Sequence, residues 1–145
     1  MTPSTTQTVS TNVNSNQRCT LDICISCRPK DIPRGPITTR PGFILFQQVR
    51  DAIGDSPLKD HVVVRQAECL SVCPRPCGIA FSSTHRWTYL FGDQDQSVAA
   101  TDIVKCVSLY LDSPDGYLPR ISRPRSMQGG ILGRVPPNIG RATCT

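Results

Sequence analysis

Five of the eight cysteines in this chain fall into two tight groups, Cys24-Ile-Ser-Cys27 and Cys69-Leu-Ser-Val-Cys73-Pro-Arg-Pro-Cys77. A C-x2-C pair followed about forty residues later by a C-x3-C pair supplies four soft thiolates from two loops. Zinc and iron-sulfur clusters both take that number of sulfur ligands. The chain must therefore fold so that two distant loops meet, and the spacing leaves the metal open.

The segment between the groups reads as the means of bringing them together. Thr20-Leu21-Asp22-Ile23 alternates polar and apolar residues, as a short strand does, and runs into Cys24. Pro41 suits the first turn of a helix, where its missing N–H does no harm. Leu45, Val49, Ala52 and Ile53 then recur on one face until Gly54 offers a stop. His61-Val-Val-Val-Arg-Gln-Ala67 is β-branched enough for a second strand, which leads into Cys69. Strand, helix and strand in that order predict a crossover between parallel strands, right-handed in about 98% of cases. The carboxyl ends of parallel strands share one sheet edge. The loop with Cys24 and Cys27 is therefore expected to face the loop with Cys69 and Cys73.

Downstream, residues 78–81 and 86–91 read as an antiparallel hairpin around a polar turn. Asp93, Asp95 and Ser97 place capping and acidic groups ahead of a second helix. Its inner face would be Ala100, Ile103, Val104, Val107, Tyr110 and Leu111, and Ser113-Pro114-Asp115-Gly116 ends it. The expected fold is α/β, a βαββα sandwich with a mixed four-stranded sheet and two helices.

A chain of 145 residues has room for one domain with a core. Residues 1–18 are a polar lead rich in Ser, Thr, Asn and Gln, too poor in apolar surface to offset the entropy of ordering. The domain is expected over residues 19–115. All eleven acidic residues lie at or before Asp115, where they match eleven of the sixteen Lys and Arg. The net charge of +5 thus resides in Arg120, Arg123, Arg125, Arg134 and Arg141. Interrupted by Pro and Gly, residues 116–145 predict an extended basic tail. Such a tail suits an acidic protein partner in redox or metal transfer. Without interleaved aromatics it is a weak signal for nucleic acid.

The lead lacks the charged start and apolar run of a secretory signal, and no stretch approaches the roughly 20 apolar residues of a membrane span. A cytoplasmic protein that does not enter the membrane is expected. In a reducing compartment the cysteines read as ligands before disulfides.

Catalytic patterns are thin. No Ser/His/Asp arrangement, Walker loop or G-x-G-x-x-G sequence is present, and His61 and His85 are expected at a strand start and in a turn. No enzyme activity is expected. Cys24-x-x-Cys27 has the spacing of a thioredoxin-type dithiol, which needs a helix N-terminus beside it. A helix that begins only near Pro41 would put that dipole too far away. Cys106 reads as a packed residue and Cys144 as a terminal thiol. Arg28, Arg65 and Arg75 would offset the negative charge of a cluster. Trp87 reads as core, with shielding of a cluster as its second role.

Cys69-Leu-x-x-Cys73 followed by a hairpin with Trp87-Thr88-Tyr89 resembles the second half of thioredoxin-like 2Fe-2S ferredoxins and the small iron-sulfur subunit of NADH dehydrogenases. A wider set of motifs is similar to an uncharacterised bacterial family of predicted small metal-binding proteins. These are Cys24-x-x-Cys27-Arg28, Cys69-Leu-x-x-Cys73-x-x-x-Cys77, Trp87-Thr-Tyr-Leu-Phe-Gly-Asp93, Ser113-Pro-Asp-Gly116 and Arg134-Val-Pro-Pro137. The resemblance covers roughly residues 20 to 137 and implies a thioredoxin-like fold, metal binding and, in some members, genes near cobalamin synthesis. The ferredoxin pattern spaces its first two cysteines further apart than Cys24 and Cys27. The ligand set is therefore read as Cys24, Cys27, Cys69 and Cys73, with Cys77 or Cys19 as alternates. The functional expectation is a cysteine-ligated metal-binding protein, foremost a 2Fe-2S ferredoxin-like electron carrier or redox sensor. A metal delivery or storage protein and a zinc-stabilised binding module are the alternatives.

Overall fold

A computed structural model of the protein describes residues 19–28, 31, 33–70, 77–94 and 99–137. Its strands are β1 (Cys19–Cys24), β2 (Val62–Ala67), β3 (Ile79–Ser82), β4 (Thr88–Phe91) and β5 (Ile131–Val135). Its helices are α1 (Pro41–Gly54) and α2 (Ala99–Asp112). The sheet runs β2-β1-β3-β4-β5. β1 and β2 are parallel and in register, Cys19 opposite Val62 and Cys24 opposite Ala67. β3, β4 and β5 follow as antiparallel neighbours.

Alternation along the strands decides which face is covered. Leu21, Ile23, Ile79, Phe81, Tyr89 and Phe91 are buried. Asp22 on the outer face instead receives two hydrogen bonds from Arg65, at 2.8 and 3.2 Å, across the β1–β2 pair. α1 lies against β1, β2 and α2. Its Leu45, Val49 and Ile53 are buried, as the periodicity requires. α2 turns Ile103, Cys106, Val107, Tyr110 and Leu111 inward, with Tyr110 edge-on to Phe81 at 5.8 Å between ring centroids. Each fully buried side chain of this size contributes ~2 kcal/mol by leaving water.

The second half is tied down by polar contacts. Arg86 donates to the carbonyls of Tyr110 and Ser113, both at 2.8 Å, and so caps the carboxyl end of α2. Tyr110 donates to Trp87 O at 2.6 Å, and Leu118 N–H donates to Tyr89 Oη at 2.8 Å. Gly116 has φ +79, and a Cβ there would stand 2.7 Å from the Tyr110 ring, so only glycine fits.

Three expectations need correction. The sheet has five strands, since Ile131–Val135 pairs with β4 inside the segment read as an extended tail. Arg123, counted among the solvated arginines, is 6% exposed and sits over the Phe91 ring at 5.8 Å. Arg134 is stacked on Trp87 and Tyr117, at 4.9 and 5.3 Å. As an edge strand β5 buries little: Ile131 and Leu132 are half-buried against the core where the register with Leu90 and Phe91 is irregular, and the rest is exposed. Asp95, Ser97, Arg75, Arg141, Cys144 and the polar lead up to residue 18 lie outside the described residues. Among the described residues no helix is long and apolar enough to cross a membrane.

Candidate metal centre

β1 and β2 end side by side, and the loops that follow are bonded to one another at once. Ile25 N–H donates to Ala67 O at 2.9 Å, and Cys24 N–H donates to Gly78 O at 3.0 Å. The loop with Cys24 and Cys27 is thus held between the exits of β2 and the entry to β3. Cys24 Sγ lies 3.9 Å from Glu68 O and also accepts from Leu70 N–H, so it spans the residues on either side of Cys69. Cys69 itself is exposed, whereas Cys24, Cys27 and Cys77 are buried.

The sulfurs are met by backbone donors. Cys24 Sγ accepts from Leu70, Ser26 and Cys27 N–H, and Cys27 Sγ accepts from Gly78 N–H at 3.4 Å. The two thiols are also hydrogen-bonded to each other. That contact, reinforced by the N–H groups, holds Cys24 below the ordinary thiol range, while the same contact and burial push Cys27 far above it. The first proton leaves this pair easily and the second with difficulty. Cys77 lies near enough to raise Cys27 further by its charge, and its backbone exchanges two bonds with Gln94, each 3.4 Å.

α1 closes the site from behind. Gly42 N–H donates to Cys27 O at 3.1 Å. A Cβ at Gly42 would collide with Cys24 O and stand 3.1 Å from Cys27 Cβ. The helix N-terminus therefore rests on the Cys24/Cys27 loop, and the expectation that its dipole is too distant is corrected. Cys27 and Gly42 meet although fourteen residues lie between them, so separation along the chain did not measure separation in space. Gly42, Gly78 and Leu70 were not singled out in the sequence. A glycine directly after the helix-starting Pro41 was the available signal for close approach.

Other expected residues fall elsewhere. Cys19 is the first residue of β1 and Cys24 the last, about 16 Å apart at strand rise, so the alternate ligand Cys19 sits at the far end of the sheet. Trp87 precedes β4 at that same far end and cannot shield the cysteine loops; it packs on Tyr117 instead. Arg65 is engaged by Asp22 rather than by the loops. His61 O accepts from Cys19 N–H at 3.1 Å, and His85 sits in the hairpin turn with φ 62. Cys73 lies outside the described residues, and among those described no three His, Cys, Asp or Glu side chains converge to hold a metal ion.

The family model described as protein of unknown function, DUF1636, matches residues 21–137. The chain belongs to that family. The matched span holds both cysteine groups and β5. No curated protein is significantly similar in sequence. Among solved structures the chain is similar to a thioredoxin-like 2Fe-2S ferredoxin from Aquifex aeolicus, with TM-score 0.54 and 16% identity over 83% of this chain and 96% of that one. A second structure, of the wild-type thioredoxin-like 2Fe-2S ferredoxin from the same organism, aligns with TM-score 0.47 and 18% identity over 66% of this chain and 86% of that one. At such identity the first likeness shows the fold: a mixed sheet with two helices, similar to the thioredoxin-like ferredoxin.

Proposed function

We propose that this protein is a cysteine-ligated metal-binding protein that holds a 2Fe-2S cluster between the loops after β1 and β2 and acts as an electron carrier or redox sensor rather than an enzyme. Cys24, Cys27, Cys69 and Cys73 are the proposed ligands, with Cys77 as the alternate. The observation that carries the reading is Cys24 Sγ lodged between Glu68 O and Leu70 N–H, which sets the first sulfur pair beside the chain that bears Cys69.

The donor set fits such a group. Its atoms are soft sulfurs, and N–H groups from Leu70, Ser26, Cys27 and Gly78 are already directed at them. Hydrogen bonds to cluster sulfurs stabilise the negative charge and raise the reduction potential. A bound cluster would supply one-electron transfer. The protein's own part is to hold the thiolates, to keep water from Cys24 and Cys27 by burial, and to aim backbone dipoles at them. An acidic redox partner is proposed for the basic segment, where Arg120, Arg125 and Arg134 are exposed.

Anaerobic purification followed by metal analysis and EPR tests this. A brown protein with iron and acid-labile sulfide in equal amounts, giving an EPR signal on reduction, is expected. A colourless protein with one tightly held zinc would replace the redox reading with a structural one. Loosely held cobalt or nickel without sulfide would favour metal delivery.

A further inference from the structure

The Cys24/Cys27 pair carries chemistry beyond metal ligation. Its thiols are in hydrogen-bond contact, and the loop between them is clamped from two sides, by Gly42 N–H on Cys27 O at 3.1 Å and by Ile25 N–H on Ala67 O at 2.9 Å. Neither cysteine is in a disulfide. Their exposures are 3% and 2%, so a protein disulfide cannot reach them, and a small oxidant meets them only when the loop opens locally. Cys24 Sγ faces the chain at Glu68 and Leu70, next to exposed Cys69, and Cys27 Sγ faces Gly78 further in. Cys24 is therefore the sulfur on the approach side and Cys27 the one behind it.

We propose that in the metal-free protein Cys24 and Cys27 form a peroxide-sensitive dithiol, which hydrogen peroxide closes into a disulfide that withdraws both sulfurs from the metal site. The Cys24 sulfur, having released its proton, attacks one peroxide oxygen. The O–O bond breaks, Cys24 becomes a sulfenic acid, and the departing hydroxide takes up a proton as water. The Cys27 sulfur then gives up its proton and attacks the Cys24 sulfur. The S–O bond breaks, the S–S bond forms, and the second hydroxide leaves as water. The dithiol loses two electrons and two protons, and one peroxide is reduced to two waters. The effect on metal loading rests on the function proposed above; the disulfide does not.

The test uses the full chain, stripped of metal, reduced, and exposed to one equivalent of hydrogen peroxide. It is then alkylated, digested with trypsin and weighed. One tryptic peptide runs from Cys19 to Lys30, because trypsin does not cut the Arg28–Pro29 bond, and holds Cys19, Cys24 and Cys27. The expected product carries a single alkyl group, at Cys19, and has lost the mass of one hydrogen pair; dithiothreitol restores three alkylation sites. A peptide alkylated at all three cysteines after peroxide, or a linkage of Cys24 or Cys27 to Cys69 or Cys77, overturns the proposal. In the Cys27→Ser variant, sulfenic acid trapped by dimedone at Cys24 supports it, and trapping at Cys69 alone overturns it. The same samples are then offered ferrous iron and sulfide. Uptake by the reduced sample and none by the oxidised one until dithiothreitol is added is expected, and equal uptake overturns the withdrawal step. If the reduced sample takes up no metal while the linked peptide forms, the dithiol stands and the metal reading falls.

Discussion

Cys19 and Cys24 stand at the two ends of one strand, both buried, and their thiols are held in opposite states. At Cys19 burial dominates and pushes the thiol up to about 12, with Arg86 and a backbone contact at Ser82 only partly opposing it. Cys106, packed nearby on α2, is raised to about 12 for the same reason. At Cys24 a sulfur partner and three backbone N–H groups outweigh burial and hold the thiol down. Burial alone therefore does not decide what a cysteine can do; dipoles aimed at the sulfur do. One end of the sheet is built to keep thiols neutral and inert, the other to accommodate thiolate.

The sharpest way to break this contrast is to exchange ligand and packing cysteines. Cys24→Ser and Cys27→Ser are expected to abolish bound metal, while Cys19→Ser leaves the metal content of the wild type; metal analysis on the three purified variants reads it directly. Next in size is Gly42→Ala. The added methyl meets Cys24 O, which is backbone and cannot swing away. A loss of ~3 kcal/mol in denaturant unfolding, together with metal release, is expected.

Smaller, and opposite in sign at the two ends, are the pH effects. A thiol raised in the folded state from 9.0 to about 12, as in Cys19 and Cys106, contributes stability that is complete below pH 9 and disappears as pH rises through 12. Each is worth at most about 4 kcal/mol at 1.36 kcal/mol per pKa unit. Unfolding measured from pH 8 to 11 should show a steep decline that is shallower in the Cys19→Ala/Cys106→Ala variant. Cys24, lowered to about 6, behaves in reverse. In the metal-free protein its contribution is present above pH 9 and lost as pH falls through 6, and Cys24→Ala should flatten that acid limb. The smallest effect belongs to Asp22 and Arg65, paired at the surface midway along β1. Arg65→Ala should leave the thermal midpoint almost unmoved, because exposed ion pairs are screened.

Much of the cysteine end was legible from local pattern. The apolar spacing from Leu45 to Ile53 between Pro41 and Gly54 marks α1 to the residue, and two β-branched or alternating runs ending in cysteines mark the parallel pair. Parallel strands put their carboxyl ends on one edge, and that topological fact brings Glu68 and Leu70 to Cys24. What stayed hidden depends on contacts across long loops. Gly42 stands against Cys24 and Cys27 although they are far apart in sequence, and no periodicity records that. β5 was missed because Gly133, Arg134 and the flanking prolines mimic a tail, although Ile131 and Leu132 beside Val135 carry a short strand signal. Arg123 is covered by chain that packs only once β4 and α2 are in place, so composition alone placed it in solvent.

The central claim is that two loops share one inorganic centre, and Cys69 is the residue that separates it from any single-loop account. Iron and sulfide are to be counted in wild type and in Cys69→Ala after identical anaerobic reconstitution. Equal iron and sulfide in the wild type, with both lost in the variant while circular dichroism shows the sheet retained, is the predicted result. A Cys69→Ala protein that keeps its full complement would contradict it.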